Sequence, residues 1–341
     1  MIDGRIAHLG LDALARARSH SDRVIADVAT VVRDLVRSHD TGGRGVGWVA
    51  IGSAARREMT SESDLDLIML VEGPPPSGEQ LVSLRKLDQD IREGLRDWLN
   101  LDVSLGSDLT SMTFTDDLRH LGDIRVEENA TFTKRILLLT ESRLAFAPDE
   151  AFHAREVARA ALLMPFDTAE ASRGRHWLAL ANDIARYYRT FLLEYKQKID
   201  AGTRPWAIRN VKLRHTRKLW YLSTALVLVR LAMESGSEPI RSSDVALRLD
   251  AAPFDRLAWA LEPHPSLDWQ GVGRCFDCYL RQIGDPQVRS ELERLPYRDR
   301  AGSAAYRALK LNANELAQAM IAIVDALPAD WRHNLLAHFL L

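Results

Sequence analysis

A chain of 341 residues with 46% hydrophobic content can bury one large core or two ordinary ones, and two domains are expected. Its 45 lysines and arginines nearly cancel its 47 acids, so a formal net charge of -2 excludes a global polyanion-binding field and leaves any nucleic-acid surface to be local. Cys275 and Cys278 are too few for a disulfide framework. With no leader-like start and no apolar run near the ~20 residues of a membrane helix, they predict a protein of the reducing cytoplasm.

In chain order, Leu11 to Ser38 carries apolar residues at three- and four-residue spacing and predicts an amphipathic helix, ended by the polar turn Asp40 to Gly45. Val46 to Ile51 is short and apolar and predicts a strand running into Gly52-Ser53, with helix-forming composition from Ala54 to Glu58. Asp64 to Val71 predicts a second strand, stopped by Gly73 and Pro74 to Pro76. Gly78 to Leu99 reads as a helix and Leu101 to Leu105 as a third strand. Beyond Thr110 the stretches Thr131 to Ala147, Ala169 to Ile199, Arg209 to Met233 and Ser303 to Leu327 all read as helices. The fold class is therefore α+β, a small mixed-sheet head over residues 1–150 followed by an all-α domain over 151–341. Trp177, Tyr187, Tyr188 and Phe191 recur at helical intervals and read as core, and Cys275 and Cys278 as partly buried helical thiols.

Chemistry concentrates between Gly52 and Asp66. Residues two apart on a strand point to the same side, so Asp64 and Asp66 can present paired carboxylates to one divalent cation, and hard oxygen ligands suit Mg²⁺, with Mn²⁺ as a substitute. Gly52 permits a tight turn, a helix beginning at Ser53 would aim N–H groups at a phosphate, and the Ser53 hydroxyl can add a donor. Asp102, in the third strand, supplies a third carboxylate, and three carboxylates can bind two metals. Arg56 can meet a phosphate or pair with Glu58 on the helix.

A glycine-serine turn, an Asp-x-Asp on the next strand and a separate acid together resemble the DNA-polymerase-β-type nucleotidyltransferase superfamily. More narrowly, Gly52-Ser53-x-x-Arg56-x-Glu58 followed by Ser63-Asp64-Leu65-Asp66-Leu67 is similar to the branch holding the PII-protein uridylyltransferase and the glutamine-synthetase adenylyltransferase. Leu137 to Leu144 resembles a helix that follows the catalytic head in those enzymes. The resemblance implies that Asp64, Asp66 and Asp102 are the catalytic metal ligands and that Gly52 and Ser53 contact nucleotide phosphates. It further implies transfer of a nucleoside monophosphate from an NTP, with ATP favoured by its abundance over UTP. The acceptor hydroxyl stays open among a protein side chain, a small molecule and an RNA end.

The segment Arg204 to Lys218 holds six lysines and arginines and no acid. Pro205 and Asn210 predict a loop leading into the next helix, so that Lys212, Arg214 and Arg217 converge near its N-terminus and bind the triphosphate or the acceptor as the domains close. Two other classes fit the same residues. One is a toxin- or defence-type enzyme acting on tRNA, the other a catalytically quiet nucleotide-sensing interaction module.

Overall fold

The computed structural model describes residues 9–37, 39, 41, 43–99, 103, 110–119, 128–147, 163, 176–200, 205–236 and 238–340. The chain divides into two compact units. A sheet unit comprises Arg18–Met59 and Ser63–Thr168, and a helical unit comprises Met1–Ala17, Thr60–Glu62 and Ala169–Leu341. Residue 150, the expected boundary, lies outside the described residues, and the first turns of the first helix group with the helical unit.

In the sheet unit, helix α1 (Asp12–Val36) leads to strand β1 (Val46–Ile51), a one-turn helix α2 (Gly52–Ala55) and strand β2 (Asp66–Val71). Helix α3 (Glu79–Leu99), the short strand β3 (Thr113–Phe114), helix α4 (Asn129–Thr140) and strand β4 (Ser142–Phe146) complete it. The four strands form one mixed sheet in the order β3-β2-β1-β4. β1 is antiparallel to both β2 and β4, whereas β3 runs parallel to β2. An isolated parallel bridge joins Leu65 to Val103, the described residue of the expected third strand.

All six residues of β1 and five of the six in β2 are buried, so both central strands are continuous apolar runs rather than alternating ones. Val24, Val28 and Val32 of α1 and Leu84, Leu87, Ile91 and Leu95 of α3 join Trp48 and Met69 in one core. Each such side chain contributes roughly 1.5–3 kcal/mol on burial. Gly94 sets how closely these two helices approach, because a Cβ there would lie 2.7 Å from Leu35 Cδ1.

One expected helix is corrected. The run from Thr131 to Ala147 stops being helical at Thr140, and Ser142–Phe146 pairs with β1 as an edge strand. The Thr140 hydroxyl donates to the Ile136 carbonyl at 2.6 Å, and the Ser142 hydroxyl donates at 2.5 Å to the Leu138 carbonyl, which another helical turn would have used. Segment Leu137 to Leu144 is therefore a helix end and a strand start.

In the helical unit, α5 (His176–Asp200) precedes α6 (Trp206–Lys212), a π-turn π1 (Leu213–Arg217) and α7 (Lys218–Ser235), and these last three succeed one another without a break. Helices α8 (Ser242–Leu249), α9 (Pro253–Ala260), α10 (Trp269–Ile283), α11 (Pro286–Arg294), α12 (Ala304–Ala326) and α13 (Ala329–Leu335) follow. α7 is apolar on nearly every face and is the unit's central helix, with Leu219, Trp220 and Ala225 to Val229 buried. Among the expected core aromatics Trp177 and Tyr187 are buried, Tyr187 edge-on to Trp220, while Tyr188 stacks on Tyr221 at 4.4 Å. Cys275 and Cys278 lie in α10, half-buried and free. Among the described residues no helix is long and apolar enough to cross a membrane.

Candidate functional site

The antiparallel register sets Ile51 opposite Asp66, so the turn after β1 and the start of β2 meet at one end of the sheet. Gly52 takes φ +67°, a left-handed value that favours glycine. A Cβ on it would lie 3.2 Å from Asp66 Oδ2, so backbone and carboxylate approach here as only a glycine comfortably allows. Asp64 and Asp66 are half-exposed while Leu65 and Leu67 between and after them are fully buried, an alternation that sends both carboxylates to one side. The strand itself begins at Asp66, not at Asp64 as the sequence suggested, and Leu65 ahead of it is held through the bridge to Val103. Asp102 lies outside the described residues. Among those residues no group of three or more histidine, cysteine or acidic side chains is placed to hold a metal ion.

The helix expected from Ser53 is a single turn, Gly52–Ala55. So short a segment develops little macrodipole, and what the turn can offer an anion is its individual N–H groups and the half-exposed Ser53. The turn is closed by Arg56 N–H donating to the Gly52 carbonyl at 3.0 Å and Glu58 N–H to that of Ser53 at 2.8 Å.

Arg56 turns inward. Its guanidinium is 7% exposed and donates to Glu58 Oε2 at 2.8 Å and to Glu141 at the end of α4. Burial pulls its pKa down, but Glu58 and Glu141 more than reverse this and hold it above the usual arginine value. The Arg-x-Glu of the motif is thus an internal brace between the turn and β4, and Arg56 is committed to two carboxylates rather than offered to a phosphate.

Arg57 has φ +59°, a strained value for a side chain with a Cβ. It is held by Asp22 of α1 through two hydrogen bonds of 3.1 and 2.5 Å, and Arg143 of β4 reaches the same carboxylate at 2.6 Å. Burial tends to raise the Asp22 pKa, and the two arginines outweigh it, leaving the carboxyl below its ordinary value. Two further arginines, on α3, escaped the sequence reading. Arg92 donates to the Leu67 and Thr110 carbonyls at 3.1 and 2.8 Å, and Arg96 to that of Val103 at 2.8 Å. Their i,i+4 spacing was the available signal, since it places both on one helix face.

The basic strip is not a loop at a helix N-terminus. Arg204 lies outside the described residues, and the expected loop is helix from Trp206 onward, so Lys212, Arg214 and Arg217 sit mid-helix at angular intervals. Arg214 faces Asn210, donating from Nε at 3.0 Å, whereas Arg217 lies over the Phe191 ring at 4.0 Å. A scan against protein-family models returns no match, and a search of curated proteins returns no relative.

Proposed function

We propose that the chain is a metal-dependent nucleotidyltransferase moving a nucleoside monophosphate from an NTP, ATP foremost, to an acceptor hydroxyl with release of pyrophosphate. The observation that supports it most is the approach of the left-handed Gly52 turn to the Asp66 carboxylate, 3.2 Å from where a Cβ would stand. A turn whose backbone can come close to a phosphate, set against a carboxylate that can hold a cation on that phosphate, is what nucleotidyl transfer requires.

The donor set fits Mg²⁺ or Mn²⁺: Asp66 at the start of β2 and Asp64 two residues ahead of it supply hard carboxylate oxygens, and Asp102 would complete the set. When bound, the metal would lower the pKa of the acceptor hydroxyl and neutralise charge on the triphosphate. The protein's own part is positioning. Gly52 leaves room for the phosphate, Ser53 donates to it, and the Arg56-Glu58-Glu141 brace holds the turn in register with Asp66.

The test incubates the protein with each α-labelled NTP, Mg²⁺ and cell lysate, followed by separate protein and RNA gels. Label should move to an acceptor in the wild type, stop when divalent metal is chelated, and fall at least about 100-fold in Asp66→Asn with unchanged melting. Full transfer by Asp66→Asn would overturn the assignment.

A further inference from the structure

In the helical unit, Arg214, Lys218 and Arg300 have no carboxylate ion pair among the described residues. Asn210, Arg214 and Lys218 follow at four-residue intervals from α6 through π1 into α7. The Asn210 carbonyl oxygen accepts both from Arg214 Nε at 3.0 Å and from the Tyr306 hydroxyl of α12 at 3.1 Å. One side-chain amide therefore fixes the guanidinium, whose two terminal amino groups have no acceptor among the described residues. Lys218, half-buried, has neither an ion pair nor a hydrogen bond among them. Arg300 lies 4.1 Å over the Tyr297 ring and donates to the Tyr297 carbonyl at 2.9 Å. Trp206 packs edge-on against both Tyr297 and Tyr306, with ring centroids 5.0 and 4.9 Å apart, so the Tyr297–Arg300 pair and the Tyr306–Asn210–Arg214 network meet on one tryptophan.

Such an arrangement is costly in isolation. Like charges four residues apart weaken a helix, and a half-buried ammonium without a counter-charge is poorly solvated. Burial, with Arg214 alongside, pushes the Lys218 pKa below its ordinary value, the response of a cation that lacks an anion. An anion joining the cluster would relieve both penalties, and a guanidinium fork beside an ammonium suits the several oxygens of a phosphate better than a single carboxylate.

We propose that Arg214, Lys218 and Arg300 form a binding site for a phosphate group on the helical unit, preset by Asn210 and Tyr306. The phosphate can come from a free nucleotide or from the backbone of an RNA acceptor. Binding at this site is read without divalent metal and so stands apart from the transfer reaction.

Calorimetry in EDTA at low salt would measure inorganic tripolyphosphate, ATP and a single-stranded oligoribonucleotide against the wild type, the pair Arg214→Gln with Lys218→Gln, and Arg300→Gln. Affinity for a phosphate-bearing probe should fall at least about tenfold in the pair and severalfold in Arg300→Gln, with circular dichroism unchanged. If nucleotide is the source, ATP and tripolyphosphate weaken together. If RNA is, the oligonucleotide weakens and its log–log salt slope flattens by roughly 0.7 for each phosphate no longer neutralised. Failure of the wild type to bind any of the three, or equal binding by the variants, would overturn the proposal. Should the pair unfold, Arg300→Gln decides, since Arg300 is exposed and its loss leaves the helix core intact.

Discussion

A side chain at position 52 would have to hold φ at +67° and seat its Cβ 3.2 Å from Asp66 Oδ2. Gly52→Ala should therefore cost roughly 1–2 kcal/mol in urea unfolding from backbone strain, and, on the proposed nucleotide role of the turn, it should weaken nucleotide binding as well, because the methyl group would occupy the approach proposed for the phosphate. Wild-type affinity in a folded Gly52→Ala protein would separate the turn from the nucleotide. Asp66→Asn acts differently. It removes charge without changing shape and relieves repulsion from Asp64, so activity should vanish while melting holds.

Among the elements, α2 is too short to be stable by itself and depends on its neighbours. The Arg56 guanidinium joins the turn to Glu141, the residue that separates α4 from β4, so the same ion pair that braces the site also anchors the edge strand. Arg56→Met removes the cation that two buried carboxylates share and should destabilise by about 3–5 kcal/mol. Glu141→Gln should cost less, because Glu58 stays with Arg56. The two changes combined should be non-additive by more than about 1 kcal/mol in a double-mutant cycle. Additive effects would mean that Arg56 and Glu141 act independently. Arg92 and Arg96 do comparable work for the neighbouring backbone, holding the carbonyls of Leu67, Thr110 and Val103.

For the molecule as a whole, two groups set the same pH trend. His215 is fully buried in π1, stacked on Tyr279 at 4.3 Å and bonded to the Val211 carbonyl and to Asn312, and burial lowers its pKa to about 4. Its unfolded value is near 6.5. Below that pH the unfolded chain takes up a proton that the folded protein refuses, so stability is full above about 6.5 and falls as pH drops toward 4. The loss should approach on the order of 2–3 kcal/mol. Asp22, depressed by Arg57 and Arg143 against the opposing effect of burial, adds a further loss lower down, as acid protonates it out of its ion pairs. Urea unfolding at pH 7 and pH 5 should show a clear drop for the wild type and a smaller one for His215→Gln. Equal drops would remove His215 as the cause.

Much of this was legible from the chain. β1 came from its apolar run, and α1, α3, α5 and α12 came from long helical periodicity, because those patterns span enough residues to have one solution. The glycine-serine turn and the Asp-x-Asp were readable for a similar reason: torsional freedom and period-two alternation are local properties. β4 was not readable, since Leu144 to Phe146 extends a helical apolar pattern, and only the hydrogen-bonding edge of β1 turns the five residues Ser142–Phe146 into strand. Nor did sequence say which arginines face solvent. Arg56 is drawn inward by Glu141, 85 residues away, and the strip from Arg209 to Lys218 becomes a continuous helix that parts Arg214 from Arg217. Residue type and spacing determined what chemistry the chain can carry. Which charges are neutralised, and which are left for a ligand, depends on partners distant in sequence, and those meet only when the chain is folded.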